Sequence, residues 1–326
     1  MNKYLKILIV GGISIIGIYL AFMGEDFDGL IHQIKQVNIS EITLGCFLLV
    51  TSCIVRAYRW KLIMDPVEKI PLHDVFSATM VGYFGNGILA FRLGELLRAY
   101  SVTSGRHMSA TQAFGTVIME RILDLIMVLL VFVLLIPWFP FEHEGIRLAV
   151  YIFSGITFAI IFGIFLSWKF NFMGKIGEVA ILQKGIGQKL FQTLNKIFDG
   201  IVLIKNTDHA VGIVLSSILL WGFYYAVTFI ILGACYLNLG IIGTGIILVL
   251  GSIVIGIPAL PGSAGTYDAG IKFSLMVVFG IASEKALTYA IVSHAVSYFP
   301  LVIIGMIYFM EGSVRIKDVK KEPITV

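Results

Sequence analysis

Residues 111–136 read TQAFGTVIMERILDLIMVLLVFVLLI. The run exceeds the roughly 20 apolar residues that carry an α-helix through a hydrocarbon core, yet Glu120, Arg121 and Asp124 are set inside it. The two carboxylates lie one helical turn apart with the arginine between them. A charge at the bilayer centre costs about 2.5–3.5 kcal/mol on insertion scales, so such residues face a protein interior or a wet cavity. The stretch therefore predicts a membrane span that belongs to a bundle. Its charges either neutralise one another or line a polar cavity.

The rest of the chain agrees in composition. Of 326 residues, 58% are apolar and 13% charged, and the mean hydropathy is +0.94, whereas soluble domains carry about 25% charged residues. A water-soluble globule is excluded. Further apolar runs occur at Tyr4–Met23, Ile42–Trp60, Ile146–Trp168, Ala210–Tyr236 and Ala286–Met310. Tyr4–Met23 has span length and no small-residue cleavage pattern after it, so it reads as a retained anchor. Two more runs, about His73–Tyr100 and Ile241–Ile281, are interrupted by Gly, Pro, Asn and charge and read as broken or re-entrant elements. The expectation is an all-α polytopic membrane protein with about eight membrane-embedded helical segments, two of them broken, forming one integral membrane domain over residues 1–326.

The net charge of +4 is too small and dispersed for a nucleic-acid binder. Lys and Arg concentrate at Lys3 and Lys6, from Arg56 to Lys69, from Arg92 to Arg106, between Lys169 and Lys205, and after Met310. Basic residues favour cytoplasmic loops, which places both termini in the cytoplasm of a cell-membrane protein. The intervening segments, around Glu25–Glu41 and Glu142–Glu144, are acidic. Lys169–His209 reads as an amphipathic helix on the inner surface, with Phe27–Val37 as a weaker outer counterpart. Ile42 and Ala210, Gly94 and Gly265, and Thr111 and Ala286 are separated by a nearly constant offset. Halves 1–145 and 146–326 thus predict an inverted repeat, an architecture in which transporters place the site at the repeat interface. Cys46, Cys53 and Cys235 lie inside apolar runs as packing residues.

Three polar features join the Glu120 cluster. Arg56 and Arg59 sit one turn apart at the inner end of the second span, where snorkelling is the alternative to a site. Gly82, Gly85, Asn86 and Gly87 precede Arg92, Gly94, Glu95 and Arg98; on one continuous helix Arg92, Glu95 and Arg98 share a face. That face reads either as an internal ion-pair staple or as a phosphate site. The second broken element runs from Pro258 through Pro261, Gly262 and Gly265 to Asp268, with prolines to stop a helix and glycines to turn the chain. His294 reads as a hydrogen-bonded packing histidine. Zincin spacing, Cys-x-x-Cys pairs and phosphate-binding loops are absent, so neither metal nor cofactor is expected.

At these clusters the sequence resembles the lysylphosphatidylglycerol synthase transmembrane family, a flippase-like domain. The matching pieces are Arg56-x-x-Arg59-Trp60, Asn86 through Arg92-x-Gly94-Glu95-x-x-Arg98, Glu120-Arg121-x-x-Asp124, and Pro258-x-x-Pro261-Gly262-x-x-Gly265-x-x-Asp268. Two departures stand out. Ala90 replaces a frequent proline, and Gly262-Ser263 with Asp268 replaces the common Gly-Gly with Glu. The resemblance implies carriage of an aminoacylated phospholipid between leaflets, with lysyl transfer performed by a separate soluble domain that the short tail after Met310 is not expected to supply.

The expected function is that of a transporter or flippase for a phospholipid or polyprenyl-phosphate-linked lipid. Its partner is a membrane lipid with an anionic or aminoacylated headgroup. Arg92, Arg98, Arg56 and Arg59 are the candidate phosphate ligands. Glu95, Glu120, Asp124 and Asp268 are candidates for a cationic headgroup or a coupling proton, and Asn86, Arg121, Pro261, Gly262 and Gly265 complete the candidate site. The alternatives are a phosphatidylglycerol lysyltransferase or other membrane-embedded transferase, or an accessory protein acting with envelope-biosynthesis enzymes.

Overall fold

A computed structural model of the chain describes residues 3–89, 92–138, 208–256 and 260–312, with Tyr151 and Gly155. The expected span Ile146–Trp168 apart from those two residues, most of the Lys169–His209 segment, Ala90, Pro258 and the C-terminal tail lie outside the described residues. The elements are α1 (Lys3–Phe22), α2 (Phe27–Gln36), α3 (Ile39–Met64), α4 (Leu72–Ile88), α5 (Gly94–Thr103), α6 (Ala110–Leu135), α7 (Ala210–Ala234), α8 (Gly240–Ile255), α9 (Thr266–Phe279) and α10 (Ser283–Glu311). There is no strand among the described residues. Three described helices, α3, α7 and α10, are long and apolar enough to cross a membrane. Helix α6 matches their length at 26 residues but contains Glu120, Arg121 and Asp124.

Helix starts follow local chemistry. Asn38 caps α3 by accepting from the Ser40 and Glu41 amides, and Asp26 caps α2 by accepting from Asp28 N–H. Ser109 and Gln112 form a reciprocal capping box at α6, satisfying amides that have no intrahelical partner. Helix α9 ends where Gly280 turns left-handed at φ 62°. Along α7, Val211, Val214, Leu215, Ile218 and Leu219 are all more than half exposed. Their helical spacing makes a continuous apolar face suited to lipid.

Both interrupted segments form helical hairpins. In the first, α4 packs on α5, and a Cβ added at Gly94 would lie 2.1 Å from the Gly82 carbonyl oxygen, so the backbones touch where only glycine fits. In the second, α8 packs on α9 through a tight turn at Pro261–Ser263. The order long helix, hairpin, long helix occurs twice, as α3, α4–α5, α6 and as α7, α8–α9, α10. The packing follows the same plan: α3 lies against α7, while α5 packs on α6 and α9 on α10. Helix α4 also packs on α10, and α8 on α6.

Near the start of the chain, the Lys272 ammonium meets Glu25 Oε1 at 2.6 Å and donates to the Ala21 carbonyl at 2.7 Å. The Ser283 hydroxyl donates to the same Glu25 oxygen. These bonds tie the α1–α2 junction to α9 and the start of α10. A separate apolar cluster of Ala57, Trp60, Met64, Val75, Ala78, Ala99 and Val117 holds α3, α4, α5 and α6 together beside the charged residues.

Candidate functional site

The charged residues of three sequence segments meet at one place. On α3, the i, i+3 spacing puts Arg56 and Arg59 on one face. Both point at Asp124 on α6: Arg56 Nη2 lies 2.6 Å from Oδ2 and Arg59 Nη2 lies 2.6 Å from Oδ1. From α5, Arg98 forks onto Glu120 with Nη1–Oε1 and Nη2–Oε2 distances of 3.1 and 2.9 Å. Arg121 Nη2 donates to Glu120 Oε1 at 2.7 Å, and its Nη1 is 3.4 Å from Asp124 Oδ2. Glu95 closes the group, 3.9 Å from Arg121 Nε and 4.0 Å from Arg98 Nη1.

Neutral partners fix the arginines further. Arg56 donates to the Tyr83 hydroxyl at 2.9 Å and Arg59 to the Ser217 hydroxyl at 3.3 Å. The Arg98 guanidinium stacks 3.8 Å above the Trp60 ring, whose indole N–H donates to Thr116. Such stacking suits a planar guanidinium better than an ammonium. The Arg59 and Glu120 side chains are fully buried, whereas 35% of the Arg121 side chain is exposed. The cluster is therefore closed at its base and open at Arg121. Arg56 and Arg59 run inward to Asp124 and do not snorkel.

Charge in the cluster does not balance. Four guanidinium groups, Arg56, Arg59, Arg98 and Arg121, face three carboxylates, Glu95, Glu120 and Asp124. The Nε of each of these four arginines is buried without a hydrogen-bond acceptor among the described residues. Every arginine brings five N–H donors and no acceptor, so the cluster has surplus donors as well as surplus positive charge. The surplus charge is of the sign that an anion complements.

Arg92 does not share the helical face of Glu95 and Arg98, contrary to the expectation from their spacing. Helix α5 begins at Gly94, and Arg92 stands before it with φ 53°, a left-handed conformation uncommon outside glycine. Its guanidinium donates to the Ile255 carbonyl at the end of α8. Arg92 thereby joins the first hairpin to the second. With Leu93, Glu95, Leu96, Phe114, Val117, Ile118 and Arg121 it lines a pocket of about 240 Å³, the space of about eight liquid waters. Asn86 lies under the start of α5, with a buried Oδ1 that has no partner among the described residues.

Pro261, Gly262, Gly265 and Asp268 form a second polar centre apart from the arginines. Gly262 and Gly265 have φ of 69° and 78°, which glycine adopts without steric cost. Asp268 Oδ2 accepts from the Gly265 amide at 3.0 Å, and Oδ1 lies 2.9 Å from His294 Nδ1. His294 Nε2 lies 2.8 Å from the Gly262 carbonyl oxygen. The histidine read as a hydrogen-bonded packing residue has its bonds to Asp268 and to the turn at Gly262. Its isolation deep in a polar-poor span was the available signal. Tyr83, Ser217 and Tyr298 gave no signal of their own in the sequence.

The model of the lysylphosphatidylglycerol synthase TM region matches residues 5–305. The chain belongs to that family. It is 23% identical to a UPF0104 membrane protein of Pyrococcus horikoshii across 96% of this chain and 98% of the relative. A UPF0104 membrane protein of Methanocaldococcus jannaschii is 27% identical over 38% of this chain and 37% of that protein. The apolar helices and the family together make this chain a multi-pass membrane protein.

Proposed function

We propose that this member of the lysylphosphatidylglycerol synthase TM family moves a lipid with a phosphate headgroup between the leaflets of the cell membrane. The observation that carries the reading is the surplus of buried guanidinium donors over carboxylates beneath a pocket bordered by Arg92 and Arg121. In this reading the phosphate enters at Arg92 and Arg121. Arg56 and Arg59 supply positive potential from below, and Arg98 is held by Glu120 as a positioning residue. Glu95, at the rim, is placed to meet a cationic substituent on the same headgroup. The lipid is a phospholipid or a polyprenyl-phosphate-linked lipid, which share this chemistry. About eight membrane-embedded segments arranged as an inverted repeat, with both termini cytoplasmic, would let the two hairpins open the site to each side in turn.

The reading is tested by lipid binding. Purified protein stripped of lipid and supplied with equal phosphatidylglycerol and phosphatidylcholine should retain phosphatidylglycerol preferentially by native mass spectrometry. Equal retention would remove the anion site. The family description also names a synthase, so charged lysyl-transfer RNA is supplied in a parallel reaction. Formation of lysylphosphatidylglycerol by the purified chain would favour the lysyltransferase alternative.

A further inference from the structure

We infer that His294 and Asp268 form a proton-binding site whose occupancy holds the second hairpin closed, making the lipid movement proposed above proton-coupled; the coupling rests on that reading, the proton site does not. The hydrogen bonds of the ring determine the proton count. The Gly262 carbonyl is an acceptor only, so Nε2 at 2.8 Å must carry a hydrogen and donate it. Nδ1 faces Asp268 Oδ1 at 2.9 Å, and this contact is a bond only when a second proton lies between them. Asp268 accepts the Gly265 amide on its other oxygen, and with both carboxylate oxygens engaged as acceptors the second proton is placed on Nδ1. The ring is an imidazolium and the pair is neutral.

Loss of that proton to water leaves one ring hydrogen for two acceptors. The Asp268 carboxylate is a stronger acceptor than a backbone carbonyl, so the remaining hydrogen stays on Nδ1 and Nε2 turns a lone pair toward the Gly262 oxygen. The turn at Gly262 is then released from α10. Side-chain exposures of 20% for His294 and 13% for Asp268 leave the proton a path out. Among the described residues, the titratable side chains meeting the ring are Asp268 and Tyr267 from α9 and Tyr298 from α10 itself. No charged side chain of α2, α3, α4 or α7 is among its hydrogen-bond or ion-pair partners.

The site is wired to the first hairpin. A Cβ added at Gly262 would lie 2.6 Å from the Tyr298 ring, and the Tyr298 hydroxyl donates to the Gly87 carbonyl at 3.1 Å. Gly87 lies in the last turn of α4, shortly before Arg92 in the chain. Release of the Gly262 turn thus acts on the hairpin whose loop bears the proposed phosphate ligand.

Asp268→Asn separates proton from structure. The asparagine carbonyl accepts the Gly265 amide and its NH₂ donates to Nδ1, so a neutral ring satisfies every bond of the turn. Leaflet exchange of fluorescent phosphatidylglycerol is followed in proteoliposomes with and without an imposed pH gradient, alongside ¹⁵N-histidine NMR with His294→Gln for assignment. Wild type should show both His294 nitrogens protonated and exchange several-fold faster with the gradient. Asp268→Asn should show one protonated nitrogen and the same rate with and without it. A singly protonated ring in wild type overturns the proton site, and gradient-independent exchange in wild type overturns the coupling. A doubly protonated ring with no exchange under any condition would reject lipid movement, and the coupling with it, while the proton site stands.

Discussion

The Arg98 guanidinium and the Glu120 carboxylate meet fork to fork, with both terminal nitrogens on both oxygens at 3.1 and 2.9 Å, between α5 and α6. This is the strong bidentate form of an ion pair, made where neither side chain is appreciably exposed. It fixes the first hairpin to α6 and so sets the distance between Arg92 and Arg121. Removing one partner of a buried pair costs about 3–5 kcal/mol because the other charge is stranded. Glu120→Gln should therefore lower the thermal midpoint markedly in detergent, read by tryptophan fluorescence. An unchanged midpoint would mean that the fork contributes nothing to holding α5 on α6.

Arg92 offers the opposite case. It is exposed, and among the described residues its one hydrogen bond is to the Ile255 carbonyl, so Arg92→Ala should leave the melting temperature nearly unchanged. If it holds a phosphate, loss of a hydrogen bond to a charged group removes about 1.5–3 kcal/mol. Binding of phosphatidylglycerol should weaken by about tenfold or more, measured by titration in nanodiscs. Arg92→Lys should recover part of the loss, since an ammonium supplies the charge without the planar fork.

Glycine substitutions examine the hairpin packing directly. Gly94→Ala places a methyl 2.1 Å from the Gly82 carbonyl, and forcing backbones apart in a packed interior costs about 1–3 kcal/mol. Gly115→Ala meets nothing within 4 Å and replaces a poor helix former in α6. The first variant should lose folded protein by size-exclusion chromatography. The second should match or exceed wild type.

Orientation is open to thiol labelling. With Cys46, Cys53 and Cys235 replaced by serine, new cysteines at exposed Asp28 and Val67 should react differently with a membrane-impermeant maleimide on intact cells. Asp28→Cys should label, and Val67→Cys should label only after lysis. Reaction of both on intact cells would overturn the cytoplasmic placement of the Arg56–Lys69 segment.

Much of the fold was legible because apolar run length and breaker residues are local signals. The interruptions at Gly82–Gly94 and Pro258–Gly265 marked the positions of both hairpins. The convergence of Arg56 and Arg59 on Asp124, and of Arg98 on Glu120, was not legible. It depends on how α3, α5 and α6 pack, and each cluster had a self-sufficient explanation in sequence. Arg92 was misplaced because an i, i+3, i+6 spacing presumes one continuous helix, whereas α5 starts at Gly94. Asp268 was legible in sequence as the end of the second broken element, but its bond to His294 was not. Its partners, the Gly265 amide and His294, place it at the turn.

Surplus guanidinium charge beneath the Arg92–Arg121 pocket is proposed to hold a lipid phosphate as it crosses the membrane. Leaflet exchange of fluorescent phosphatidylglycerol in proteoliposomes, compared between wild type and Arg121→Gln with phosphatidylcholine as control lipid, tests it most directly. Wild type should exchange phosphatidylglycerol well above the protein-free rate and faster than phosphatidylcholine, with Arg121→Gln reduced at least about tenfold for loss of a charged phosphate contact. Equal exchange of both lipids, or an Arg121→Gln protein that folds and exchanges phosphatidylglycerol at the wild-type rate, would contradict it.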